Sequence, residues 1–259
     1  MNLWNENRTE IKDYNRKVLL AGSGSIREVL LNHMPSPLNL EGIVIRGRGR
    51  KLVELPRILW WGTTLTMGLF SRVDLRSSNF VYCDLSSTVM KNVVLDSSSV
   101  LFSDWASVRV HKCSLESLSI SNSLLSDSKF NEVEGSFLDM HNVRSFGQVI
   151  TKSMLPNMRM LGCNMKSLMV HGSLLTRFTV SLSSFTKCVF TDVTMDGSLF
   201  RNDNLMDVRF VNCSLEKSEF KDSTFVNVKF ENCLTKGMRF TSCRFFNTES
   251  SSPPVEVKQ

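Results

Sequence analysis

Large apolar residues recur at every fifth position of this chain. From Val73 to Asn247 it divides into 35 consecutive pentads without an insertion, and 32 of their central residues are apolar. With the centre written i, these are the residues whose numbers are divisible by five; Gly135, Ser145 and Thr235 are the exceptions. Twelve of the 17 Phe take this place. The place i−2 is Ser, Val, Cys or Thr in 27 of the 35 pentads, and the other three places hold most of the Asp, Glu, Lys, Arg and Asn. Neither regular element fits. A helix turns about 100° per residue, so steps of five scatter the i positions around its surface. In a flat strand an odd step sends successive i side chains to opposite faces. The pattern is satisfied when the chain turns a corner at each pentad. Every pentad is then one side of a coil, every i side chain points to the axis, and stacked coils bury one continuous core.

The pentads CDLSS (83–87), SNFVY (78–82), CNMKS (163–167) and CSLEK (213–217) resemble the A-(D/N)-L-x-x motif of the pentapeptide-repeat family. The resemblance covers about two-thirds of the chain. It implies an all-β fold, a right-handed quadrilateral β-helix with four pentads per coil. At about 4.8 Å between stacked strands, residues 73–247 would form a rod about 40 Å long. The sequence departs from the motif at i−2, where Ser, Val and Cys replace Ala, and where Leu118, Leu138, Met158 and Phe178 form a bulky series spaced by 20. One side of the rod is expected to widen there.

Four segments follow. Residues 1–37 are a non-repeat N-terminal segment with a short helix near Ser23–Met34, capped by Ser25 and ended by Pro35. Residues 38–72 are irregular first coils or a cap: Leu40, Ile45, Leu55, Trp60, Leu65 and Phe70 keep the phase, and only RGRGRK (46–51) breaks it. Residues 73–247 are the β-helix, and the Ser/Pro-containing end, 248–259, is expected to be disordered. Gly135, Phe137, Ser145, Phe146 and Gln148 all depart from the pattern, which predicts an irregular loop or bulge over 133–150.

Charge adds one distinction. The chain carries +6, but residues 73–247 hold 19 basic and 17 acidic groups, and the excess sits in the first 72 residues. The run Arg46, Arg48, Arg50 and Lys51, with Arg57 behind it, is a candidate contact for an anion or a partner. Trp60 and Trp61 beside it suggest a membrane surface as an alternative contact, through residues 46–70. The polar start, MNLWNENRTEIKDYNRK, lacks an apolar core and reads as no secretory signal. The longest apolar stretch, Ile58 to Phe70, is too short to span a bilayer.

The remaining candidate groups read as structural. All seven Cys occupy i−2, where a small apolar thiol packs well; Cys213 and Cys233 should stack on adjacent coils. His111, His141 and His171 fall on the solvent-facing place i+1. Asp203 falls on an inward place between Ser183 and Ser223, and a local distortion is expected to turn it out to water. The core ladder of the last coils is Leu215, Phe220, Phe225, Phe230, Phe240 and Phe245. Phosphate-loop, dinucleotide, nucleophile-elbow and H-E-x-x-H motifs are absent from the sequence. No catalytic residue, metal or cofactor is therefore expected.

The expected function is a non-enzymatic scaffold that binds another protein through the flat outer faces of the solenoid. The resemblance implies a bacterial protein that acts in the cytoplasm or is delivered into a host cell as an effector by a system that needs no signal peptide. Some family members bind DNA gyrase as acidic mimics of duplex DNA. That alternative needs strong negative potential, which a near-neutral rod lacks. Nucleic acid is not an expected partner. End-to-end pairing of two rods through the last coil would cover Phe240, Phe245 and Phe246.

Overall fold

A computed structural model describes residues 8–13, 15–23, 25–34, 37–47, 49, 51–250 and 256–258. The coil begins at Asn39 and is continuous to Ser250 among the described residues. Its cross-section has four sides, and each side is a ladder of parallel pairings between residues 20 apart, such as Val100 on Ile120. The first face carries β3 (Ile43–Arg46) and then the strands from Leu69–Ser71 to Lys229–Glu231. The second begins with Val53–Glu54 on Val73–Asp74 and continues by single bridges to Leu234. The third is an 11-stranded ladder that starts at Leu59–Trp61. The fourth runs by bridges from Asn39 to Arg144, then as six three-residue strands from Arg144–Phe146 to Arg244–Phe246. Ten steps of about 4.8 Å along the third face make the rod about 50 Å long.

The corners explain the period. Every i+2 residue from Arg57 to Asn247 has a left-handed backbone, with φ between 49° and 72°. Nineteen of these 39 residues are Asn, Asp or Gly, the types that adopt this region at least cost. The i side chains fill the axis. Phe200, Phe220 and Phe240 stack at 4.6 and 5.1 Å on the third face, and Phe190, Phe210 and Phe230 at 5.1 and 5.0 Å on the first. Trp60 lies flat on Phe80 at 5.9 Å. The small i−2 side chains seal the corners by bonding between coils. Cys163 N–H donates to Ser183 Oγ (3.0 Å), Ser183 N–H to Asp203 Oδ1 (2.8 Å), and Asp203 N–H to Ser223 Oγ (3.1 Å).

Before the coil, β1 (Arg8–Asp13) and β2 (Val18–Ser23) form an antiparallel hairpin, and β1 also pairs with β3, so the hairpin extends the first face. This hairpin was not expected, because its strands, RTEIKD and VLLAGS, are short and neither alternates strictly between apolar and polar residues. The helix α1 (Ile26–Leu31) is shorter than the predicted span; Ser25 caps it in a capping box with Glu28, and Val29 and Leu30 are buried. Pro35 lies outside the described residues.

The first coil contains 25 residues rather than 20, since Val44 pairs with Leu69 while Val53 pairs with Val73. Gly47 N–H donates to Ser71 O and Val53 N–H to Arg72 O, so the first coil has one extra pentad between Gly47 and Val53. Gly47 is required there: a Cβ would stand 2.4 Å from Lys51 O and 2.7 Å from Arg72 O.

Two expectations need correction. The zone 133–150 contains no loop; Lys129–Asn131 pairs directly with Val149–Thr151, and Gln148 and Ser145 are buried. The change is confined to the fourth face, which from Arg144 onward pairs as three-residue strands instead of single bridges. The end is also not wholly irregular: Glu249–Ser250 pairs with the first face and Glu256–Lys258 with the third; residues 251–255 lie outside the described residues. Gly135 has its own cause. A Cβ there would meet the Leu115 carbonyl carbon at 2.5 Å and Glu116 N at 2.7 Å, backbone atoms that cannot move aside. Gly135→Ala therefore destabilises the protein by about 1–3 kcal/mol, although it brings the residue closer to the apolar rule. A thermal melt at or above the wild-type temperature would contradict this.

Candidate binding surfaces

Since the i and i−2 side chains face inward, contacts belong to i−1, i+1 and i+2, and residues 20 apart share a face. Sorting by 20 rather than by five separates four different surfaces.

The upper third face is uncharged from Leu59 to Asn122. Its strands present Leu59, Trp61, Asn79, Val81, Ser99, Leu101, Ser119 and Ser121. At its corner Tyr82 and Phe102 stack in the open, 5.3 Å apart, 58% and 51% exposed, and Trp61 is 43% exposed. Beside them, on the fourth face, lies a shallow groove of about 700 Å³ whose lining includes Phe102, Asp104, Asn122, Asn142, Arg144 and Asn164. Asn142 Nδ2 donates to Asn122 Oδ1 across one coil (3.2 Å).

The second face carries Glu54, Asp74, Asp96, Glu116 and Glu134 on successive coils. Asp74 is nearly buried and accepts from Nε and Nη2 of Arg76, at 2.6 to 3.0 Å, which keeps its carboxyl below the usual range. The series then gives way to Met154 and Leu174. The first face is basic over the same coils, with Lys91, Arg109, Lys112, Lys129 and Lys152 exposed.

The square section divides the candidate run. Arg46 is exposed on the first face, Lys51 lies at the extra pentad, and Arg57 stands beyond the second face at the corner leading to the third. Arg48 and Arg50 lie outside the described residues. Trp60 points to the axis and Trp61 to solvent, on the face opposite Arg46. The basic and aromatic parts of residues 46–70 therefore face apart.

Of the core ladder, Leu215, Phe220, Phe225, Phe230 and Phe240 are buried and Phe245 is half-buried. The seven Cys form no disulfide, and six are buried. Cys213 shares a hydrogen bond with the stacked Cys233, and this bond together with burial pushes its thiol up. His111 Nδ1 meets Asn131 Nδ2 at 3.0 Å, His171 lies 3.5 Å from Asp192, and His141 is exposed.

Asp203 contradicts the expectation that it turns outward. It is 3% exposed, Oδ1 accepts from Ser183 N–H, and Oδ2 has no partner. Burial pushes its carboxyl up to about 7. It stays inside because it fills one rung of the Ser ladder. The exposed Tyr82–Phe102 pair was missed altogether, although its signal is in the sequence as two aromatic residues at i+2, 20 apart.

Known proteins place this geometry. A family model described as "Pentapeptide repeat region" matches residues 183–250, and one described as "Pentapeptide repeats (8 copies)" matches 62–98. No curated protein matches the chain. Among solved structures it is similar to HetL, a pentapeptide repeat protein involved in heterocyst differentiation regulation from the cyanobacterium Nostoc sp. strain PCC 7120. The identity is 11%, the match covers 90% of this chain and 100% of HetL, and the TM-score is 0.45. QnrB1, a plasmid-mediated fluoroquinolone resistance protein, matches at 11% identity over 72% of this chain and 93% of its own, with a TM-score of 0.43. The A-module of AlgE4, a mannuronan C-5 epimerase of Azotobacter vinelandii, matches at 8% identity over 90% and 94%, with a TM-score of 0.39. With both family models falling in one unbroken register of pentads, the chain is a pentapeptide-repeat protein.

Proposed function

We propose that the rod is a non-enzymatic scaffold that binds another protein through the upper part of its third face. The observation that carries this reading is the exposed stack of Tyr82 on Phe102 beside Trp61. Water-exposed rings in contact on a rigid, uncharged surface are the composition of a binding hot spot. Their backbone is fixed by the ladder, so little ordering entropy is lost on docking. The amides of Asn122, Asn142 and Asn164 beside them offer donors and acceptors to a peptide backbone. The gyrase-mimic alternative is less well supported. The acidic series of the second face spans five coils, one of its carboxylates is neutralised by Arg76, and a basic face adjoins it.

The test is affinity capture with the full-length protein, the variant Trp61→Ala/Tyr82→Ala/Phe102→Ala, and the control Met154→Ala/Leu234→Ala, which removes equally exposed apolar groups from the second face. A protein recovered by wild type and control but reduced about tenfold or more with the triple variant is the expected result. Equal recovery by all three would contradict it.

A further inference from the structure

We propose that the first face, from Arg72 to Lys152, is a docking surface for an anionic lipid bilayer, independent of the aromatic third face.

The first observation is a column of like charges. Arg109 and Lys129 are direct neighbours on adjacent coils, their Cα atoms in register. Lys91, Lys112 and Lys152 surround them, all exposed. Arg72 completes the set, its Nε donating to Gly47 O at 3.3 Å. Like charges directly opposite in a sheet destabilise it. Against these six cations stand three carboxylates: Glu132, paired with Lys112 at 3.4 Å, Glu134, which lines a shallow pocket with both of them at the edge of the second face, and Asp127 at the far corner.

The second observation is how the same column is treated further along. Arg209 and Lys229 are again in register, in the same i−1 place of the same face. There each cation has its own carboxylate: Arg209 binds Glu231 at 2.8 Å and Lys229 binds Glu249 at 2.8 Å. Among the described residues, Lys91, Arg109, Lys129 and Lys152 form no such pair. The fold neutralises one end of the column and leaves the other charged.

Shape selects the partner. From the coil of Phe70 to that of Ile150 the face spans four steps, about 19 Å, and it is a flat three-residue ladder. A plane of anionic headgroups meets the exposed Lys91, Arg109 and Lys129 together, with Lys112 and Lys152 at the corner beside them and the half-buried Arg72 at one end. A nucleic-acid duplex is a cylinder and touches a flat face along a line. The strands of this face from Leu69 to His171 present no Phe, Tyr or Trp outward on which unpaired bases could stack.

The experiment is co-sedimentation of the full-length protein with phosphatidylcholine vesicles containing about 30% phosphatidylserine, with phosphatidylcholine vesicles alone, and with a duplex of about 20 base pairs, at about 50 and 300 mM salt. Two charge-reversal variants are compared, each first shown by circular dichroism to melt near the wild-type temperature. One is Lys91→Glu/Arg109→Glu/Lys129→Glu. The other, Arg177→Glu/Lys217→Glu/Lys236→Glu, makes the same change of net charge on another face. We expect binding to the anionic vesicles that weakens steeply with salt, falls about a hundredfold or more in the first-face variant, and stays within about threefold of wild type in the control. Equal binding to neutral vesicles, equal loss in both variants, or tighter binding to the duplex than to the vesicles would each overturn the proposal.

Discussion

Phe220→Ala lowers the stability of the protein by about 4 kcal/mol. Phe220 is fully buried and stands between Phe200 at 4.6 Å and Phe240 at 5.1 Å on its own face. Edges of Phe225 and Phe230 reach it at 5.4 and 6.3 Å. Truncation removes the apolar contact of a whole ring and leaves a cavity. The coils above and below are tied by backbone ladders at fixed spacing, so they cannot collapse into it. The same truncation at Phe102 removes an exposed ring and costs less than about 1 kcal/mol. Denaturant unfolding of the two variants checks the contrast, and similar losses would contradict the filled-axis description.

Asp203→Ser stabilises the protein at about pH 8, by about 3–4 kcal/mol, and the gain disappears at about pH 4. The sign follows from burial. The folded carboxyl titrates near 7, against an ordinary value of 3.8. Between these values the folded state holds a proton that the unfolded state has released. Stability therefore falls as pH rises from about 4 to 7, and the whole penalty is present above 7. Serine accepts the Ser183 N–H as Oδ1 does and brings no charge, as Ser183 and Ser223 do one coil away on either side. Melting temperatures of wild type and variant across this range check it. A difference that stays constant with pH would show that Asp203 is not the group responsible.

Much of the architecture was legible because a period of five requires a corner at every pentad, and the resemblance to pentapeptide repeats implied four such sides per coil. The corner at each i+2, the inward i ladder and the place of every Cys follow from it. What stayed hidden depends on contacts between coils rather than on the repeat. Gly135 looks like an error until the backbone of Leu115 is seen against it. Asp203 looks like an outward residue until the Ser ladder supplies its hydrogen bond. The surfaces were hidden for a different reason. A near-zero net charge conceals a basic face and an acidic face side by side, and the run from Arg46 to Arg57 looks continuous in sequence although two corners separate its ends.

The claim that most needs testing is that contact is made by the aromatic corner and not by the rod at large. A benzophenone side chain placed at Phe102, and separately at Met154, tests it by photo-cross-linking in a lysate that yields a partner. The account predicts a discrete cross-linked protein from position 102 and none of the same mass from position 154. The same product from both positions, or from position 154 alone, would contradict it.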